Sequence, residues 1–449
     1  MNIGDEQIQL INKAKFFLKK LDSSNINSSL SGFCYFTSWA KTPGYAILKR
    51  WQEGWFFIIK FWLILLKNVL AIASNTKYVE FSNENLSVSY ETIVVSWCFK
   101  KNFQKDGSFK DRYFSENSKD LPKSYWILLS MDGYVPTNLN NNIKILKKEK
   151  SILKYNFFSF IKILFSTIIE NRLSPKKICH YLYFSSYFAK VVTRVVKKEF
   201  EKKNFKTILL PYEAQPFQNN IFFEIKKINK KIKTIGYLHS LNPFTGELVY
   251  RTGAPDLLLV HGKLQIEILK SNLDWPEDRL ILTQSFRYRL NDDDYLSNKI
   301  FLPLSIFKSG LLINEFKKFL MNLELGGLPN LTIQNHPVAL NSKKHVNFEK
   351  KLKELINIYE DRFRSSSKKK ISIFFGVTDA FLEALERGID VIHICSDPIF
   401  EAYSEKIWKN LKIKQLSNYI FQYNLILPGK YIMLGETKKI LHKTLEKLY

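Results

Sequence analysis

From residue 206 onward the chain alternates short apolar runs with helical stretches, and this alternation restricts the fold more than any other feature. Segments 206–210, 232–237, 256–260 and 280–283 are apolar runs of strand length, with helical periodicity over 217–230 and 263–271 between them. Runs this short and this apolar read as strands buried on both faces, and the helices between them as the crossovers that a parallel sheet requires. A charged, poorly periodic stretch at 289–295 interrupts the pattern. It restarts with strands at 300–304, 331–336, 371–375 and 390–394 and helices at 309–323, 346–359 and from 379. Earlier runs at 79–81, 92–97 and 125–130 also read as strands. The predicted fold class is α/β: two Rossmann-like, doubly wound domains facing each other across a cleft. At 449 residues the chain exceeds what one core supports, so length points to two domains as well. The predicted division is 1–284, with helical additions, then 285–430, then a terminal helix within 431–449.

Composition narrows the class of partner. A hydrophobic fraction of 45% with 24% charged residues describes a folded chain. The formal net charge of +26 rests mainly on lysine. Arginine is the side chain that reads phosphates and bases bidentately. Its scarcity, and the lack of a recognition module, argue against a dedicated nucleic-acid binder. A basic field still favours anionic partners, either a phosphorylated substrate or an anionic membrane. Cys34, Cys98, Cys179 and Cys395 stand far apart, which fits neither a disulfide framework nor a zinc site and suits a reducing cytoplasm. Residues 1–6 lack the features of a signal peptide. The apolar stretch 55–73 is interrupted by Lys60, Lys67 and Asn68 and reads as an amphipathic helix, packed on a core or laid on a membrane. A basic-aromatic helix predicted over 152–169, with Lys154 and Lys162, carries the same two readings.

Candidate chemistry collects at the ends of the predicted strands, where open α/β sheets bind ligands. Asn335, His336 and Pro337 close the 331–336 strand. Thr378 and Asp379 open the helix after 371–375, where free N–H groups suit an anion, and Glu383 lies one turn further on. Ser285 and Arg287 follow the 280–283 strand at the predicted hinge. Glu213 ends the 206–210 strand and His239 the next one; each is a candidate general base. Asp256 and His261 flank a third strand and read as structural. His180, His345, His393 and His442 have no companions that suggest a role. No Asp-x-Asp stands at a strand end, and the acidic run 292–294 falls in the linker, so no metal is predicted. Walker, Gly-x-Gly-x-x-Gly and Gly-x-Ser-x-Gly patterns do not occur, which leaves ATPase, dinucleotide-oxidoreductase and hydrolase readings without their signatures.

On His336-Pro337, Thr378 and the segment 378–392 containing Glu383, the C-terminal half resembles the nucleotide-binding domain of GT-B glycosyltransferases. The likeness is to bacterial surface-polysaccharide enzymes such as Kdo transferases and polysialyltransferases. The N-terminal half is similar to surface-carbohydrate transferases over 107–114, 211–216 and 236–240. The resemblance implies that 285–430 binds a nucleotide-sugar and 1–284 the acceptor. His336 and Thr378 would hold the CMP part of a CMP-linked acidic sugar such as Kdo or a nonulosonic acid, and Glu383 the ribose. Asn335, Pro337, Asp379, Ser285 and Arg287 would complete the donor site, and Asp111 and Arg112 would shape the acceptor side. No cofactor beyond the nucleotide-sugar and no metal is implied. The acceptor would be a growing glycan or glycolipid at the inner face of the cytoplasmic membrane, with no nucleic acid involved. A UDP- or GDP-sugar, a CDP-polyol, or a non-catalytic scaffold in a glycan-assembly complex are the alternatives.

Overall fold

The structure is a computed structural model that describes residues 2–23, 29, 77–83, 89–114, 117–121, 123–149, 184–290, 296–336, 339, 342–364, 370–378, 380–436 and 440–448. The first lobe contains strands β1 (Lys77–Ser82), β2 (Thr92–Cys98), β3 (Ser124–Ser130), β4 (Ile143–Glu149), β5 (Thr207–Pro211), β6 (Lys233–Tyr237), β7 (Leu257–Val260) and β8 (Leu280–Leu282). They form one sheet in the order β1-β4-β3-β2-β5-β6-β7-β8. Every pairing from β4 to β8 is parallel, and β1 closes the edge antiparallel to β4. Because successive side chains point to opposite faces, Ile93 and Val95 of β2 enter one hydrophobic core and Val94 the other. Helices α1 (Ile3–Ser23), α2 (Phe184–Lys202), α3 (Pro216–Ile228) and α4 (Lys263–Leu273) belong to the first of these cores.

The second lobe carries β9 (Lys299–Phe301), β10 (Thr332–Gln334), β11 (Ile371–Phe375), β12 (Asp390–Ile394), β13 (Leu411–Ser417) and β14 (Ile420–Leu425). Its helices are α5 (Ser309–Met321), α6 (Lys343–Ile358), α7 (Ala380–Glu386) and α8 (Pro398–Glu401), and α9 (Ile440–Leu448) ends the chain. The sheet order is β10-β9-β11-β12-β14-β13, parallel through β12 and antiparallel in the β13–β14 hairpin. Two Rossmann-like α/β lobes are thus present, but each sheet is mixed at one edge rather than wholly parallel. The sequence expectation also passed over α2, β4 and the hairpin. In β4 and β13 lysines interrupt the apolar residues, so no continuous apolar run marks either strand.

Both chain ends tie the lobes together. Helix α1 buries Leu10, Ile11, Ala14 and Leu18, a stripe at helical spacing. Its Gln7 donates to the carbonyls of Ile399 (2.9 Å) and Ala402 (2.7 Å) beside α8, while its Lys15 pairs with Asp274 after α4 at 2.6 Å. The sheets part between Leu282 and Lys299, yet the chain returns to the first lobe after β14. Met433 N–H donates to His261 O, and Ser285 N–H to Met433 O, at 2.7 and 2.8 Å. Leu441 and Leu445 of α9 then bury in the first lobe's second core with Val94, Trp126 and Leu209. Glu386 anchors this crossing by accepting from the N–H groups of Gly429, Tyr431 and Ile432. A Cβ on Gly262 would lie 1.9 Å from Tyr431 O, so the crossing runs over a surface only glycine leaves free. The predicted helices at 55–73 and 152–169, together with Cys34, Cys179 and the acidic run 292–294, lie outside the described residues. Among the described residues no helix is long and apolar enough to cross a membrane.

Candidate functional site

The carboxyl ends of both sheets face one cleft of ≈ 1080 Å³. The first lobe lines it with the ends of β2 and β3, the Arg112–Tyr113 loop, Glu213 after β5, and Arg287. The second lobe contributes the loops that follow β9, β10, β11 and β12. His336 and Thr378 both belong to that wall, so the two strand ends singled out in the sequence open on the same space.

On the first wall, Glu213 sits in a tight turn between β5 and α3, next to Ala214 at φ +54°. Gln218 of α3 holds the turn, accepting from the N–H groups of Glu213 and Gln215 at 2.9 Å each and donating to Pro211 O at 2.6 Å. The Glu213 carboxylate lies 3.1 Å from His239 Nε2 and accepts from Ser240 Oγ (3.1 Å) and Gln215 Nε2 (2.8 Å). On its other side, His239 Nδ1 is 3.4 Å from Arg287 Nη1. A guanidinium can only donate, so Nδ1 carries the lone pair and Nε2–H faces Glu213. The His239 ring packs on Tyr113, centroids 4.4 Å apart, and is buried, whereas Glu213 reaches the cleft. Of the two candidate bases, only the carboxylate therefore meets the open space.

Tyr113 is held by Asp111. That carboxylate accepts from the N–H groups of Tyr113 and Phe114 at 2.7 Å each and from Ser96 Oγ at 2.5 Å. Burial pushes the Asp111 carboxyl up to about 6, against the opposing pull of these hydrogen bonds and of His239. The loop fixed in this way turns Arg112 into the cleft. Arg287 stacks over Tyr288 with its guanidinium 4.8 Å from the ring centre. Ser285, expected at the donor site, is fully buried instead: its hydroxyl accepts from Tyr288 N–H (3.0 Å) and sits 3.3 Å from Tyr237 OH. It shapes the turn that presents Arg287 and cannot touch a ligand in the cleft.

On the second wall, Asn335 donates to Glu349 Oε2 at 2.6 Å and also lines the cleft. Thr378 Oγ1 accepts from Ala380 N–H at 3.3 Å, the bond of a helix N-cap, and α7 behind it runs only seven residues. Glu383 is buried on α7 at the cleft margin, where its Oε1 takes Nε and Nη2 of Arg387 at 3.0 and 2.9 Å. A sugar hydroxyl would have to share this carboxylate with Arg387. Pro337 and Asp379 lie outside the described residues.

Two histidines without companions in the sequence prove to support the wall. His393 of β12 donates from Nε2 to Gly376 O at 2.6 Å, and His345 of α6 makes the same contact to Pro303 O at 2.8 Å. Burial lowers the His393 pKa to about 4, so it stays neutral, and it fixes the left-handed turn at Gly376 (φ +58°) that leads into Thr378. Their partners are 17 and 42 residues away in sequence, so nothing local marks them.

No protein-family model matches the chain, and no curated protein sequence does either. Among solved structures it is similar to a glycosyltransferase from Rickettsia africae ESF-5, at 13% identity over 70% of this chain and 86% of that one, with a TM-score of 0.31. It is also similar to the wall teichoic acid polymerase TagF, at 10% identity over 74% of this chain and 76% of that one, with a TM-score of 0.29. Likenesses at that level fix neither fold nor activity. The architecture stands on the strand order, and the cleft on its own residues.

Proposed function

We propose that this protein is a GT-B-type glycosyltransferase that moves a sugar from a nucleotide donor on the second lobe to an acceptor hydroxyl presented by the first. The observation that carries the reading is the pairing of walls. A carboxylate backed by an imidazole faces, across one cleft, a strand-end wall bearing His336 and Thr378. Glu213 takes the proton of the acceptor hydroxyl as its oxygen bonds to the anomeric carbon. The sugar–phosphate bond breaks and its electron pair leaves with the nucleotide phosphate. His336 donates to a phosphate oxygen, and Arg287 adds fixed positive charge from the opposite wall. His239 acts as the partner of Glu213 rather than as the base, because its Nδ1 is turned to Arg287.

The donor is a CMP-linked acidic sugar, and the acceptor a growing surface glycan or glycolipid at the inner membrane face. Asn335 and Glu383 border the nucleotide. The basic charge of the chain suits both an anionic donor and an anionic membrane surface. Calorimetric titration against CMP, UMP, GMP and AMP tests the donor assignment. CMP binds best, and His336→Ala weakens it about tenfold or more, the loss of one charge-assisted hydrogen bond. Equal CMP affinity in both proteins removes His336 from the site, and a preference for UMP or GMP replaces the donor. With a CMP-sugar and a glycolipid acceptor pool, Glu213→Gln lowers turnover by about 10²-fold or more while CMP affinity holds. Unchanged turnover removes Glu213 as the base.

A further inference from the structure

Glu213 borders two spaces. One is the cleft; the other is a small recess of ≈ 10 Å³ that it shares with Ser240, Asn242, Thr245, Glu247 and the apolar Phe244 and Leu248. That volume holds about one water molecule, which needs roughly two to four polar partners, and this recess supplies them. One of these groups is otherwise unsatisfied. Thr245 Oγ1 is buried with no hydrogen-bond partner among the described residues. Glu247, 5% exposed in the short turn Gly246–Leu248, faces the same recess.

We propose that Glu247 is a positioning residue, held protonated and donating through one water and the Ser240 hydroxyl to Glu213, so that the two carboxyls share a single negative charge located at the cleft. This rests on the reading of Glu213 as the base. The direction of the chain follows from the bond already present: Ser240 Oγ donates to Glu213 Oε1, so it is free to accept from the water.

The charges around Glu247 agree with the protonated form. Burial and the charge of Glu213 both raise its pKa well above the ordinary value, and Arg251 opposes them. Arg251 directs its guanidinium to the backbone carbonyls of Glu247 (2.8 Å) and Ala214 (2.6 Å). Helices α1 and α4 pack against the turn; of their lysines, Lys15 and Lys19 pair with Asp274 and Lys270 with Glu277.

Infrared spectroscopy of the intact protein tests the assignment without any substrate. Well above pH 6, where Asp111 has ionised, the wild type shows the carbonyl stretch of a protonated carboxylic acid. Glu247→Gln removes the Glu247 share of that band, which in Glu213→Gln titrates at lower pH because the repelling charge is gone. No such band in the wild type, or a wild-type band that Glu247→Gln leaves unchanged, overturns the proposal; any share from Glu386, whose carboxyl burial also raises, is identified by Glu386→Gln. Turnover gives a second arm: it persists in Glu247→Gln, whose amide still donates to the water, and falls in Glu247→Ala. Equal turnover in both variants also overturns it. Failure of CMP to bind at all, with the band behaving as described, would instead remove the transferase reading and leave the paired carboxyls standing.

Discussion

Asp111 accepts from Ser96 and from the N–H groups of Tyr113 and Phe114, and its carboxyl is pushed up to about 6 by burial. An unfolded aspartate titrates near 3.9. The raised value makes the folded state bind the extra proton, so this group's stabilisation is complete below the unfolded value and is lost as pH rises through about 6. The effect is bounded at about 3 kcal/mol. Asp111→Asn keeps an oxygen for the two N–H groups and removes the titration, so its melting temperature falls less than that of the wild type between about pH 4 and 6. Identical pH profiles would show that the carboxyl does not titrate in this window. His393 has the opposite sign. Its pKa is lowered to about 4, so its contribution is present above the ordinary histidine value and is lost as pH falls toward 4. Glu213 and His239 were legible in the sequence as polar residues ending apolar runs. His345 and His393 were not, because each lies inside its element and serves a carbonyl distant in sequence. Ser285 was misplaced for a related reason: position after a strand does not reveal which way a turn points its hydroxyl.

Helices and strands were legible where one periodicity ran unbroken. β5, β11 and β12 stand within a residue of their expected bounds because buried parallel strands are continuous apolar runs. β4 escaped because lysines break its pattern. One of them, Lys144, is buried and paired with Glu199 of α2 at 2.7 Å, a partner that exists only in the folded chain. The crossing segment after β14 is a further element that periodicity could not announce, since its partners, the backbone of His261 and Ser285 and the carboxylate of Glu386, are distant in sequence. Gly262→Ala tests how tightly it is seated. A Cβ placed 1.9 Å from Tyr431 O must displace the crossing, and the expected loss is on the order of 1–3 kcal/mol in denaturant unfolding. An unchanged midpoint would mean that the segment shifts aside freely.

Across the whole molecule, the two lobes share one apolar core. It runs from Ile93, Leu210 and Leu258 of the first sheet through Leu10 and Leu18 of α1 to Phe381, Tyr403 and Trp408 of the second lobe. Trp408 donates to Pro243 O at 3.1 Å, and Phe244 meets Phe400 edge-on at 5.1 Å. Calorimetry should therefore record one cooperative transition, and removing residues 437–449 should lower its midpoint, since Leu441 and Leu445 leave the first lobe's core. Two separate transitions would mean that the shared core is energetically minor. The sequence by itself determined two α/β units and the polar residues at their strand ends, because hydrophobic periodicity and strand-end chemistry are local properties of the chain. Only the tertiary structure decided that Glu213 reaches the cleft while His239 is turned away, that His336 and Thr378 share that cleft, and that both termini bind the lobes together. Those outcomes depend on which groups distant in sequence exclude water from one another, and no local pattern encodes that.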